Sequence, residues 1–215
     1  MRNSLLRCVA LLLLTPALAA CQSAYYGMAE KVGYHKREIL VDRVGDSQEA
    51  QRDAQEQFRS ALEQLGQLTG FDGGELEKVY EEMADEYEES EEAAAQVRER
   101  IDAVEHVAGA LFGEWQDEIE EYTNPRLKAD SQAKLRETRR RYDGMIAAMR
   151  RSEARMEPVL AALRDNVLYL KHNLNARAIA SIKTELTSIE NDTGLLIREM
   201  ERSIAESDAF IASME

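Results

Sequence analysis

The chain has 215 residues with 27 basic against 41 acidic side chains, a formal net charge of −14 and a mean hydropathy of −0.48. So acidic a surface is repelled by nucleic-acid phosphates, which argues against DNA or RNA as a partner. Only three prolines interrupt a sequence rich in Ala, Glu, Arg, Leu and Gln, a composition that belongs to long helices.

In chain order, the first feature is a leader. Arg2 and Arg7 precede an apolar stretch from Cys8 to Leu14, which is the charge and length pattern of a secretory signal and too short for a mature membrane span. Small residues then lead to a cysteine in Leu18-Ala19-Ala20-Cys21, which resembles a lipobox. Cleavage is expected between Ala20 and Cys21, removing 1–20 as a signal peptide. The Cys21 thiol then carries a diacylglycerol thioether and its new amine a further acyl chain such as palmitate. Two or three chains, at about 0.8 kcal/mol per buried methylene, hold a protein stably on a membrane. Processing discards two of the basic residues and no acid, so the mature chain stands near −16. With Cys8 lost and Cys21 acylated, no disulfide, catalytic thiol or cysteine zinc site is expected.

Residues 21–29 read as a lipidated tether, with Tyr25 and Tyr26 suited to the headgroup level. Residues 30–215 read as one helical domain. A first stripe runs through Leu40, Val44, Ala54, Phe58, Ala61, Leu65 and Leu68, with an interruption expected at Gly45-Asp46-Ser47 and a fresh cap at Asp46 or Ser47. Phe71-Asp72-Gly73-Gly74 is a turn. Alternate steps of four and three from Leu76 then pick out Tyr80, Met83, Tyr87, Ser90, Ala94, Val97, Ile101, Val104, Ala108, Leu111, Trp115, Glu118 and Tyr122. A seam so sustained predicts a helix of roughly 70 Å packed lengthwise against others.

Asn124-Pro125 closes that helix, because proline disfavours helical geometry in the residue before it and suits the first turn of the next. A third stripe runs from Leu135 through Tyr142, Met145, Met149, Ser152, Met156, Val159 and Leu163 to Leu170, with a kink expected at Pro158. The phase slips at His172-Asn173-Leu174-Asn175. The last stripe is Ile179, Ile182, Leu186, Ile189, Thr193, Leu196 and Met200, with Ile204 and Ile211 drifting one position later. Four helices of similar length with short links predict an all-α, elongated, coiled-coil-like antiparallel bundle, up-down-up-down. Even parity puts the C-terminus beside the lipidated end, with Asn124-Pro125 near the bilayer and the links around Asp72 and Asn173 at the distal tip.

Chemistry is sparse. Acids between Glu75 and Glu92 read as a solvated face, since a straight helix lacks the bent ligand loop hard cations need. The third helix is basic at Arg136, Arg139, Arg140, Arg141, Arg150, Arg151 and Arg155. Folding about residue 124 sets Arg140 near residue 108 and Arg151 near 97, with Glu99, Asp102 or Glu105 as partners. Arg140, Arg151, Asp72 and Asn173 are candidate contacts for an envelope protein or a second copy of the chain. The residues three before His35, His106 and His172 are Val32, Ala103 and Tyr169, so the Glu-x-x-His of di-iron bundles is missing. No cofactor, metal site or catalytic residue is expected.

Several segments together carry a resemblance: Lys31 to Val44, Phe71 to Glu77, Met156-Glu157-Pro158-Val159-Leu160 and Leu170 to Ile179. They resemble the proteobacterial family labelled domain of unknown function 2959. That likeness implies an envelope lipoprotein and carries over no catalytic residue. Gln22 after the cysteine, in place of Asp, resembles outer-membrane cargo, which places the chain on the inner leaflet of the outer membrane facing the periplasm. The function expected is a non-enzymatic structural or interaction module. The alternative is a carrier or sensor that holds a lipid or other apolar molecule among the seam methionines Met145, Met149, Met156 and Met200.

Overall fold

The structure is a computed structural model, and it describes residues 36–70, 76–173 and 175–214. Four helices account for nearly all of them: α1 (Lys36–Thr69), α2 (Leu76–Glu121), α3 (Pro125–His172) and α4 (Ala176–Met214). Each packs on its neighbours around the ring, α1 on α2, α2 on α3, α3 on α4 and α4 back on α1, which is the expected all-α four-helix bundle. Among the described residues there is no strand. No helix among them is long and apolar enough to cross a membrane.

Both visible links follow from side-chain chemistry. Asn124 caps α3 by accepting hydrogen bonds at Oδ1 from the Arg126 and Leu127 amides, with Pro125 in the first turn. At the other end of α3 the Asn173 amide N–H returns to the Leu170 carbonyl at 3.0 Å. Asn175 then opens α4 by accepting from the amides of Arg177 and Ala178.

Three expectations need correction. Helix α1 runs unbroken through Gly45-Asp46-Ser47, because Ser47 faces inward and sends its hydroxyl 102 residues along the chain to the Met149 sulfur, at 3.9 Å. Near its C-terminal end α2 buries Phe112 and Ile119, while Glu118 and Tyr122 are exposed. A straight helix of 3.6 residues per turn drifts out of a strict seven-residue repeat, and here it does. In α4 the drift is the part that fails. The seam continues through Ser203, Ser207, Phe210 and Met214, leaving Ile204 and Ile211 at its border. Helix α3 is continuous through Pro158, with Met156 and Val159 buried on either side.

The core is one apolar cluster from Ile39 and Leu40 to Met214, with Phe58, Ile101, Met145, Met149 and Leu163 fully enclosed. Polar side chains thread through it: Ser47 and Gln51 on α1, Ser90 on α2, Ser152 and Asn166 on α3, and Thr193, Ser203 and Ser207 on α4. Most are satisfied locally. Gln51 donates to the Ser47 carbonyl, and Ser152 donates to the carbonyl of Met149 at 2.7 Å and to Gln51 Oε1. A hydroxyl bonded back to its own helix can sit in a core without an interhelical partner.

Helix lengths differ. At 1.5 Å per residue the 46 residues of α2 and 48 of α3 make about 70 Å each, whereas the 34 of α1 and 39 of α4 make about 50 and 60 Å. Lys36, the first residue of α1, pairs with Glu114 at 2.8 Å, so α2 continues seven residues past that level to Glu121. Among the described residues the α2–α3 hairpin therefore runs on past the level of Lys36.

Candidate interaction surfaces along the third helix and at the hairpin end

Of the residues singled out for partner contact, Arg140 and Arg151 are exposed on α3 and Asn173 follows its last turn. Ala20, Cys21 and Asp72 lie outside the described residues, as do the leader, the tether and Phe71-Asp72-Gly73-Gly74. Asn173 is occupied in closing the helix, since its side-chain amide donates to the Tyr169 carbonyl at 2.9 Å. Arg140 makes no hydrogen bond or ion pair among the described residues. Its charge, with the hydrogen bond and charge of Arg141, holds the exposed Glu137 carboxyl below its ordinary pKa, and Arg141 is the larger cause. Arg151 reaches across to Glu199 of α4 at 3.9 Å, a long contact.

Of the acids expected to pair with the basic patch, Asp102 and Glu105 are held by Arg150. Its guanidinium bonds both oxygens of Glu105, one oxygen of Asp102 and, on its own helix, Glu153. These bonds, Glu105 foremost, drive its pKa upward, so the charge is permanent. Arg98 of α2 completes the network through Glu153 at 3.0 Å. Sequence spacing predicted the register between α2 and α3 correctly. It could not say which of two adjacent arginines points across the groove, because a rotation of 100° per residue separates Arg150 from Arg151 and the apolar stripe fixes which way the helix is turned.

Part of the acidic run on α2, read from the sequence as a solvated face, meets the first helix. Gln57 and Ser60 donate to Glu86 and Gln64 donates to Glu82, at 2.8 to 2.9 Å, so neutral donors of α1 absorb part of that charge. Among the described residues no group of three or more His, Cys, Asp or Glu side chains could hold a metal ion.

A concavity lies at the hairpin end. A groove of about 1070 Å³ is lined by Lys36, Val41, Leu111, Glu114, Trp115 and Met214, among others. Lys36 of α1 and Met214 of α4 line it together with residues of α2 and α3. Trp115 stands at its wall and donates its indole N–H to the Ser131 hydroxyl at 2.8 Å, tying α2 to α3. Below it, Phe112, Tyr142 and Phe210 stack edge to face, with ring centroids 5.3 and 6.2 Å apart. The Arg139 guanidinium lies over the Phe112 ring at 5.3 Å and donates to the Phe112 carbonyl. Burial, aided by Glu105 and Asp143, pushes the Tyr142 phenol up to about 12. Sequence patterning placed Trp115 and Tyr142 on seams but passed over Phe112 and Phe210, so it missed that three helices contribute to one cluster. Beyond the groove, at the tip, Tyr122 and Leu127 are exposed, Leu127 to 52%.

Residues 25–214 match a family described as Protein of unknown function (DUF2959). No curated protein and no solved structure matches the chain.

Proposed function

The chain belongs to the DUF2959 family, and from that footing we propose that it is a lipoprotein held through Cys21 on the inner leaflet of the outer membrane, where its bundle serves as a non-enzymatic interaction rod of the envelope. The observation that carries the anchor is the run Leu18-Ala19-Ala20-Cys21 behind a short basic and apolar leader. The rod reading draws support from one continuous core that runs about 55 Å along α2, from Met83 to Ile119, and from the internal use of the polar groups most suggestive of a site. The groups on Arg150 and Trp115 are engaged in joining α2 to α3. Helical faces bearing charges such as Arg140, unpaired among the described residues, are then the surfaces left for a protein partner.

The anchor is tested by labelling cells with a palmitate analogue and fractionating their membranes. The wild-type chain should incorporate label and sediment with the outer membrane, and Cys21→Ala should lose the label and become soluble. Retention of Cys21→Ala in the membrane fraction would overturn the anchor. The interaction role is tested by photocrosslinking from positions 140 and 151 in intact cells. Recovery of neither a protein partner nor a self-contact would count decisively against it.

A further inference from the structure

Charge is segregated between two neighbouring helices. Helix α2 carries 17 acidic side chains against three basic ones, whereas α3 carries 12 basic against six acidic. Few of these charges meet within one copy. Among the described residues the ion pairs between α2 and α3 are Arg150 with Asp102 and Glu105, Arg98 with Glu153, and Lys128 with Glu120.

The bond between Arg150 and Asp102 gives a level from which positions on the outer face of this helix pair can be counted. About 18 residues make five whole turns, a step that leads from Asp102 back to Ala84 and from Arg150 on to Leu168. The two helices are antiparallel, so Ala84 and Leu168 lie level with each other on that face. Leu168 is 52% exposed, among the largest apolar exposures of the described residues. Counting two heptads each way from the same bond sets Glu88 level with Arg164, and three heptads set Glu81 level with Lys171. All four are exposed. None pairs with another of the four in one copy: Arg164 reaches its own neighbour Asp165 at 3.8 Å, and the other three join no ion pair among the described residues.

We propose that this α2–α3 face binds the same face of a second copy, about a two-fold axis parallel to the rods. Such a rotation lays α2 of one copy on α3 of the other without changing level, so every contact is made twice. Leu168 then seats against the second copy's Ala84, a side chain small enough to receive it. Arg164 meets the second copy's Glu88 on one side, and Lys171 meets its Glu81 on the other. Charge complementarity commits the face to this occupant, because the acidic row and the basic row stand at matching levels when the face is laid on itself. The area suffices: two helices about 20 Å wide together, over about 42 Å from Glu77 to Glu105, offer about 800 Å² per copy, the size of a stable interface. The inference rests on the interaction reading above and names its partner. Both copies point the same way, as a shared anchor at Cys21 requires.

The test uses intact cells that produce two differently tagged forms of the full chain, one with Ala84→Cys and one with Leu168→Cys, treated with a short bis-maleimide. A mixed dimer is expected, with little product from either form alone or from the parent without an added cysteine. Lys171→Glu in both forms should cut the mixed product about fivefold or more, and adding Glu81→Lys should restore it. These positions are exposed, so helical circular dichroism of the purified variants should match the parent. No mixed product from variants with intact helicity would overturn the proposal, as would a yield indifferent to charge reversal. A photocrosslinker at position 168 that captures a different protein would overturn it too, while leaving the interaction reading in place. Crosslinks from none of positions 140, 151 and 168 would remove both.

Discussion

Truncating Arg150 to alanine removes one guanidinium from three carboxylates at once, those of Asp102 and Glu105 on α2 and Glu153 on α3. Exposed ion pairs contribute about 0.2–1 kcal/mol each. Here the side chain is 34% exposed, grips Glu105 with two nitrogens, and would leave three like charges with only Arg98 nearby. The sum is about 1.5–2 kcal/mol at low salt, and screening should reduce it by about half in 1 M sodium chloride. Urea unfolding followed by circular dichroism at 222 nm reads the loss as a lower midpoint at constant slope. Arg150→Met retains most of the apolar stem, so the difference between the two variants separates packing from charge. A double-mutant cycle with Glu105→Gln should return a coupling of about 0.5–1 kcal/mol. In the same assay Arg140→Ala, whose side chain joins no pair among the described residues, should stay within about 0.3 kcal/mol of wild type. A loss below about 0.5 kcal/mol for Arg150→Ala, or one indifferent to salt, would refute the reasoning that this network ties α2 to α3.

Three further outcomes follow from the packing. Phe58 is fully enclosed on α1, so Phe58→Ala should destabilise the bundle by about 3–5 kcal/mol in the same urea assay. A Cβ at Gly45 meets nothing within 4 Å in the middle of a helix, so Gly45→Ala should stabilise by about 0.5–1 kcal/mol, seen as a higher urea midpoint. Tyr87 and Tyr142 both titrate near 12, raised first by burial, so absorbance at 295 nm should show two late phenols and Tyr142→Phe should remove one of them. Because the fold favours the neutral phenol, its contribution is whole below pH 10 and is lost as pH rises from 10 to 12. Tyr142→Phe should therefore lose less stability than wild type between those values.

Much of the architecture was legible in the amino-acid order. Apolar residues at alternating three- and four-residue steps dictate long helices with one buried stripe, and Asn124-Pro125 and Asn173 to Asn175 carry the side-chain acceptors and the proline that end and restart them. Hairpin parity then yields the antiparallel ring and the approximate level of Arg150 against Glu105. Hydropathy could not reveal that Ser47, Gln51 and Ser207 are core. A hydroxyl or amide bonded to its own or a facing helix loses its polarity only once the partner is in place. Nor could spacing choose Arg150 over Arg151, since helix rotation is settled by the whole apolar stripe docking at once. The level at which Lys36 meets Glu114, and the groove that both line with Trp115 and Met214, exist only in how helices far apart in sequence are set against one another. Local periodicity determines which face of each helix is buried. How far one helix slides along another is decided by the packing of side chains that meet only in the folded bundle.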